Sequence, residues 1–236
     1  MKKIEMVYEG KAKKIYTTDD PDLVVQEFKD DATAFDATKR GTIVGKGIVN
    51  NKISACLFEL LESKGIATHF VKLLSDKEML VKRLKIIPIE VTIRNIVAGG
   101  MSRLLGIEEG TGLRCPVLEY HYKEDKLHDP LINEYHIKAL DLAKENELDT
   151  IRDRSFEINN ILKRFFLDRG LDLVDFKLEF GRHKDKVLLG DEISPDTCRF
   201  WEKGTRRKMD KDRFRRDLGS VEETYKEMLD IVVGKK

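Results

Sequence analysis

The chain has 236 residues, of which 41% are hydrophobic and 37% charged. That much apolar content excludes a disordered chain, and the length suits one large domain or two lobes around a shared cleft. Lys and Arg number 44 against 43 Asp and Glu, which excludes a global field drawing the protein onto nucleic acid or a membrane; any anion site must be local.

Cys56, Cys115 and Cys198 are odd in number and far apart, with neither metal-ligand spacing nor a disulfide framework, so reduced thiols in a cytoplasmic protein are expected. The first eight residues lack an apolar signal core. No apolar run approaches the roughly 20 residues needed to span a bilayer.

In chain order, the first 90 residues read as a β-rich lobe with one helix. Strands are expected near residues 4–8, 13–17, 23–28, 69–74 and 79–84, with turns at Gly10 and at Asp19-Asp20-Pro21. Gly10-Lys11-Ala12-Lys13-Lys14 falls in the first hairpin. In an extended segment Lys11 and Lys13 share a face, which suits a flap over a polyphosphate or, equally, exposed lysines on an edge strand. The glycine spacing is not that of a Walker A loop. Residues 48–63 have helical apolar spacing that stops near Gly65.

Residues 89–96 read as a buried strand ending in Arg94-Asn95. Ala98-Gly99-Gly100 then opens a short helix through Leu105. An arginine beside a glycine-rich helix start suits a phosphate or carboxylate, or ties down a loop. Another strand is expected over 116–122. In His128-Asp129-Pro130, Asp129 either touches a ligand or shapes the turn. The five histidines lack metalloprotease spacing. Asp149 is expected to cap a long helix ending at Gly170.

Residues 173–181 (LVDFKLEFG) alternate strictly, Asp175, Lys177 and Glu179 on one face and Phe176, Leu178 and Phe180 on the other, as in a half-buried strand. A partner strand over 187–189 ends in Gly190-Asp191-Glu192. If the turn is centred on Asp185, Glu179 faces Asp191, and two carboxylates with Lys177 nearby can hold a divalent cation against a phosphate. A two-residue turn shifts the register by one and puts Asp191 on the other face. The alternative is a solvated face of cross-strand ion pairs. Residues 199–216 are locally basic and contain Trp201 and Phe214, a pattern that can bind single-stranded nucleic acid, but Glu202, Asp210 and Asp212 break it up. Ser220 with Glu223 is a capping box for a last helix. Strands that form hairpins, interleaved with helices, argue for an α+β fold over a doubly wound sheet.

Several strings together resemble the SAICAR synthetase (phosphoribosylaminoimidazole-succinocarboxamide synthase) family over nearly the whole chain. They are YEGKAKKIY (8–16), TAFD (33–36), GKGIVNN (45–51), LLSDKEMLVKRL (73–84), IPIEVTIRNIVAG (87–99), HDP (128–130), LVDFKLEFG (173–181), LGDEISPD (189–196) and MDKDRFR (209–215). The resemblance implies two α+β lobes around an ATP cleft, residues 1–84 and 85–236, distantly similar to protein kinases. It implies an ATP-dependent ligase joining L-aspartate to the carboxylate of carboxyaminoimidazole ribonucleotide (CAIR) through an acyl phosphate, giving SAICAR, ADP and phosphate in purine biosynthesis. It further implies a cytoplasmic homodimer with no nucleic-acid or membrane partner.

Carried over by motif position, Lys11, Ala12 and Lys13 hold the ATP phosphates, and Val81, Lys82 and Leu84 line the adenine. Glu179 and Asp191 bind Mg²⁺, with Lys177 beside them as a catalytic residue. Asp175 and Lys177 position the CAIR ribose or carboxylate. Arg94 and Arg199 grip its acidic groups, and Gly100, Lys123, Asp129 and Asp36 are cleft residues. Two positions depart from the family pattern: Gly100 stands where a serine is usual, and Leu104 where a second basic residue often follows Arg103. A small-molecule kinase on the same architecture would need the ATP site but no aspartate. A nucleic-acid binder would use the 199–216 patch and weaken steeply with salt.

Overall fold

The structure, a computed structural model, describes residues 2–34 and 38–234. Asp36 lies outside the described residues. β1 (Lys3–Glu9), β2 (Lys13–Thr18) and β3 (Leu23–Phe28) form successive hairpins where the strand pattern predicts them. β4 (Asp31–Ala34) and β5 (Lys39–Thr42), not foreseen from the sequence, pair as a separate ribbon. α1 (Lys46–Ser63) buries Val49, Ile53, Leu57, Phe58 and Leu61. It stops at Gly65, whose left-handed φ of 87° lets the Ile66 N–H reach back to the Leu61 carbonyl at 3.0 Å. β6 (Phe70–Leu73) and β7 (Glu78–Lys82) complete an antiparallel sheet of order β1-β2-β3-β7-β6.

The second sheet begins with β8 (Lys85–Ile96). α2 (Gly99–Leu105), β9 (Gly112–Tyr122), β10 (Leu131–Ile132), α3 (Glu134–Ala139) and α4 (Glu145–Leu167) follow, then the long β11 (Leu171–His183). β12 (Lys186–Leu189) and β13 (Cys198–Glu202) share one edge of β11, end to end, and β8 takes the other edge. The chain closes with α5 (Asp212–Arg215) and α6 (Val221–Val233). The named strands pair antiparallel, as an α+β fold requires.

One face of the second sheet carries Ile89, Val91, Ile93, Phe176, Leu178 and Phe180, all buried, and α4 covers it with Ile151, Ile158, Leu162 and Phe166. Asn95 and Asn159 exchange hydrogen bonds of 2.8 and 3.1 Å across that contact, so the buried amides are satisfied. The two sheets join at a parallel bridge between Thr68 and Leu189, where the His69 N–H donates to the Leu189 carbonyl at 2.8 Å. α6 packs on α1, and one apolar core runs through both sheets. No helix among the described residues is long and apolar enough to cross a membrane.

Two helix starts differ from the sequence expectation. α4 begins at Glu145, because the Glu147 carboxylate accepts the Lys144 N–H at 2.8 Å and so satisfies the first turn. Asp149 sits a turn further on and pairs with Arg152. Ser220 adopts a left-handed φ of 47° and makes no side-chain cap, so the predicted box with Glu223 does not form.

Candidate active site

The opposite face of the second sheet is charged across three strands. On β11, Asp175, Lys177 and Glu179 stand in a row, and in the β8 register they face Arg94, Thr92 and Glu90. On β9, Glu119 pairs with Thr92 and His121 with Glu90. Lys177 Nζ lies 2.6 Å from Glu90, and Lys123 Nζ 2.5 Å from Glu179. Arg94 Nε reaches Glu119 at 2.8 Å and its Nη1 reaches Asp175 at 2.8 Å. Arg199, from β13, holds Asp175 with Nη1 at 2.9 Å and Asp212 with Nε at 3.0 Å. Asp175, only 3% exposed, therefore clasps two arginines together. Its carboxylate is engaged with them, and a substrate would meet the arginines it holds.

Two adjoining cavities open above this face. One, of about 550 Å³, has apolar walls that include Ile15, Val24, Val81 and Leu84 and a charged end formed by Lys13, Lys123, Lys177, Glu179 and Asp191. Lys11, Ala12 and Lys82 also line it, so all six residues expected at the nucleotide converge there. The other, of about 360 Å³, is lined by Arg94, Gly100, Asp175, Lys177 and Arg199. Lys11, Thr33, Glu90, Lys177 and Lys211 border both, which makes them one cleft. Lys123 and Asp129 belong to the first cavity alone. Asp129, with φ 46°, accepts the Glu124 N–H at 2.9 Å, so its carboxylate shapes the turn.

Glu179 and Asp191 meet, but not by the expected register. The β11–β12 turn has two residues, Lys184 and Asp185, and pairs Phe180 with Leu189; Glu179 thus falls opposite Gly190, whose N–H donates to the Glu179 carbonyl at 2.9 Å. β12 has ended by then, and Asp191 turns through a left-handed φ of 57° into the cavity. Gly190 and Gly181 make this corner possible, since a Cβ on either would lie 2.7 Å from the Leu84 side chain.

Burial, and then Asp191, push the Glu179 carboxyl up against the pull of Lys123 and Lys177. Burial also works against the Asp191 charge, but Lys13, with Lys177 and Lys123, outweighs it and holds that carboxyl below its ordinary range. Lys13 bonds Asp191 and lies 3.1 Å from Glu192; these acids overcome the cost of burial and raise its pKa. Among the described residues no group of three or more His, Cys, Asp or Glu side chains forms a metal cluster. A pair of hard carboxylate oxygens, one of them short of positive charge, fits Mg²⁺ that takes its remaining ligands from phosphate and water.

Gly99 and Gly100 differ in role. Gly99 has φ 54°, and a Cβ there would sit 2.6 Å from Arg199 Nη2. Gly100 has room, its Cβ position being 3.6 Å from Arg94 Nη2.

Glu90, Glu119 and His121 escaped the sequence reading, although Glu90-Thr92-Arg94 and Glu119-His121-Lys123 alternate as plainly as the β11 residues do. Lys211 and Arg215 were also missed; both line the second cavity, and Arg215 is held by Asp212 at 2.6 Å. Asp196, which lines both cavities, is held from below: fully buried Lys46 pairs with it at 2.8 Å, and the Tyr225 hydroxyl donates to the same carboxylate at 2.7 Å. The basic stretch 199–216 is not a basic platform: Trp201 is 2% exposed, and Arg207 pairs with Glu227 and Lys208 and Arg216 with Glu109. A buried indole offers no platform for a base.

The SAICAR synthetase family model matches residues 6–232. A phosphoribosylaminoimidazole-succinocarboxamide synthase from Caldanaerobacter subterraneus subsp. tengcongensis is 58% identical over 229 residues, 97% of each chain. The crystal structure of a phosphoribosylaminoimidazole-succinocarboxamide synthase from Ehrlichia chaffeensis superposes with a TM-score of 0.95 at 47% identity, covering 97% of this chain and 98% of that one. A SAICAR synthetase solved in complex with ADP gives 0.93 at 47% identity, with the same coverage.

Proposed function

The chain belongs to the SAICAR synthetase family, ATP-dependent ligases of purine biosynthesis, and on that premise we propose that it joins L-aspartate to the carboxylate of CAIR, giving SAICAR, ADP and phosphate. The observation that carries this reading is the junction of the cleft. Lys177 borders both cavities, and Lys13, Glu179 and Asp191 stand at the charged end of the first. A nucleotide base between Val81 and Leu84 would direct its phosphates to that end. CAIR in the second cavity would meet Arg94 and Arg199.

A carboxylate is a poor acyl donor because oxide is a bad leaving group. In the proposed sequence a CAIR carboxylate oxygen attacks the γ-phosphorus, and the bond to ADP breaks. The amine of L-aspartate then attacks the acyl carbon, phosphate leaves, and the nitrogen gives up a proton. Phosphoryl transfer rests on positioning and charge neutralisation. Lys13 would neutralise the polyphosphate and Lys177 the transferring group, while Arg94 and Arg199 hold the acceptor in line. Mg²⁺ held by Glu179 and Asp191 would supply further neutralisation of phosphate charge. The division into lobes at residues 84 and 85, a cytoplasmic location and a homodimer belong to the same proposal.

Phosphate release measured with ATP, Mg²⁺ and CAIR, with and without L-aspartate, tests it. Release that requires aspartate and yields SAICAR is the expected result. ADP formation that ignores aspartate and leaves a phosphorylated product would identify a small-molecule kinase instead.

A further inference from the structure

His121 stands on the charged face of β9, at the wall of the second cavity. Its Nδ1 lies 3.1 Å from the Asp129 carbonyl oxygen, and its Nε2 3.5 Å from Glu119 Oε2. Both ring nitrogens thus face oxygens that can only accept. A neutral imidazole keeps a lone pair on one nitrogen and would point it at one of these oxygens, whereas an imidazolium presents an N–H to each, as a hydrogen bond at the Asp129 carbonyl and an ion-pair contact at Glu119. The Glu119 oxygen that faces His121 is the one that receives Arg94 Nε at 2.8 Å. The carboxylates of this face have cations of their own, Glu90 with Lys177, Glu179 with Lys123 and Asp175 with Arg94 and Arg199. Glu119 shares Arg94 with Asp175, and a charged His121 completes its partnership.

We propose that His121 works as an imidazolium that holds Glu119 against Arg94, and so positions Arg94 for an anionic group of the ligand in the second cavity; the ligand side of this rests on the reading of that cavity given above. The groups around the ring are Glu119 on its own strand, Glu90 on β8 with Lys177 behind it, Arg94 through Glu119, and the Asp129 carbonyl from the loop before β10. Lys11 and Thr33 also border the cavity. Burial opposes the charge, but Glu119, the Asp129 carbonyl and Glu90 outweigh it and raise the imidazole above its ordinary value. The charged state is therefore complete at low pH and lost as pH rises through that raised value.

Two measurements test the proposal. In ligand-free protein, ring nitrogen NMR shifts should report both nitrogens of His121 protonated until the pH passes above about 6.5. The Arg94 Nε–H resonance should follow the same titration curve, and its pH dependence should vanish in His121→Gln. A ring that is already neutral below that pH, or an Arg94 signal indifferent to it, overturns the proposal whatever the protein's substrate proves to be. In turnover, His121→Gln should raise the KM for CAIR about threefold to tenfold near pH 6, leaving kcat and the KM for ATP unchanged, with the gap closing above the His121 titration. A gap that is constant with pH, or shared with ATP, means a merely structural side chain and refutes the assignment. A parent enzyme that turns over no CAIR would sink the functional reading, while the NMR titration still decides the role of His121.

Discussion

The first cavity offers aliphatic walls and gathers its charge at one end, whereas the second is walled by side chains already bound to one another. In the first, Glu179 is paired with Lys123 and Asp191 with Lys13, yet burial and the nearby Asp191 still push the Glu179 carboxyl up, which suits a ligand that arrives with a cation. In the second, Arg94 and Arg199 are fixed on Asp175 before anything binds. A guanidinium has five N–H donors. Their ion pairs use Nε and Nη1, and the Nη2 groups lie beside Gly99 and Gly100. Pre-pairing lowers the gain from a new anion but removes the entropy of ordering two long side chains. One region is therefore built to be completed by its ligand, and the other to receive a ligand without rearranging.

The largest effects should come from the charged end of the first cavity. Asp191→Asn and Glu179→Gln should lower kcat by about 10²–10³-fold, the scale for losing one group that organises transition-state charge. Asn tolerates the left-handed backbone at 191, so the fold should hold, with some loss of melting temperature from the broken Asp191–Lys13 pair. Turnover within about threefold of the parent, under roughly 1 kcal/mol of barrier, would break the contrast between the cavities.

Next comes separation of the two ligands. Lys13→Ala should weaken ATP and spare CAIR, and Arg199→Ala should do the reverse, each by roughly 10- to 150-fold, or about 1.5–3 kcal/mol for a charged hydrogen bond. Direct binding of each ligand to each variant decides; crossed effects would mean that the cavities are assigned the wrong way round.

Gly99→Ala should have a smaller and more selective effect. A left-handed alanine costs about 1–3 kcal/mol of stability, visible in denaturant melts. The new methyl displaces the Arg199 guanidinium, so CAIR affinity should fall about tenfold while ATP binding stays. Equal losses for both ligands would show that the second cavity is not an independent unit. The mildest change is Gly100→Ser. Space exists beside Arg94, and a hydroxyl contact to a charged group should tighten CAIR several-fold, below the full 1.5–3 kcal/mol of such a bond. Weaker CAIR binding would instead tie this position to its backbone freedom.

The alternation in β11 made the centre of the site legible, because strict period two over nine residues is a strong strand signal. The same signal in β8 was hidden by its isoleucines and valines. Ile89, Val91 and Ile93 mark a buried strand so strongly that Glu90 and Thr92 between them drew no notice. The Glu179–Asp191 pairing was anticipated for a register that does not form, since a left-handed residue past the strand end brings Asp191 round, and backbone handedness at a single aspartate leaves no mark in composition. The charge of residues 199–216 is neutralised by Glu109 and Glu227, distant in sequence, so the stretch reads as more basic than it is. The helix starts failed for a local reason: Glu147 and the conformation of Ser220 compete with the caps that spacing suggested.

The buried link of Lys46, Asp196 and Tyr225 also sets a timetable. Lys46 opens α1, and its partners lie on the far side of the chain. At synthesis rates of about 5–20 residues per second, Tyr225 follows Lys46 off the ribosome by roughly 10–35 s. Through that interval the N-terminal sheet carries an α1 whose ammonium has no buried acid to meet and whose outer face has no α6 to cover it. Such non-local closure is slow in the same way that high contact order is slow. The buried lysine, the covering of the first helix and the link to Asp196 therefore all depend on the C-terminal part of the chain being in place.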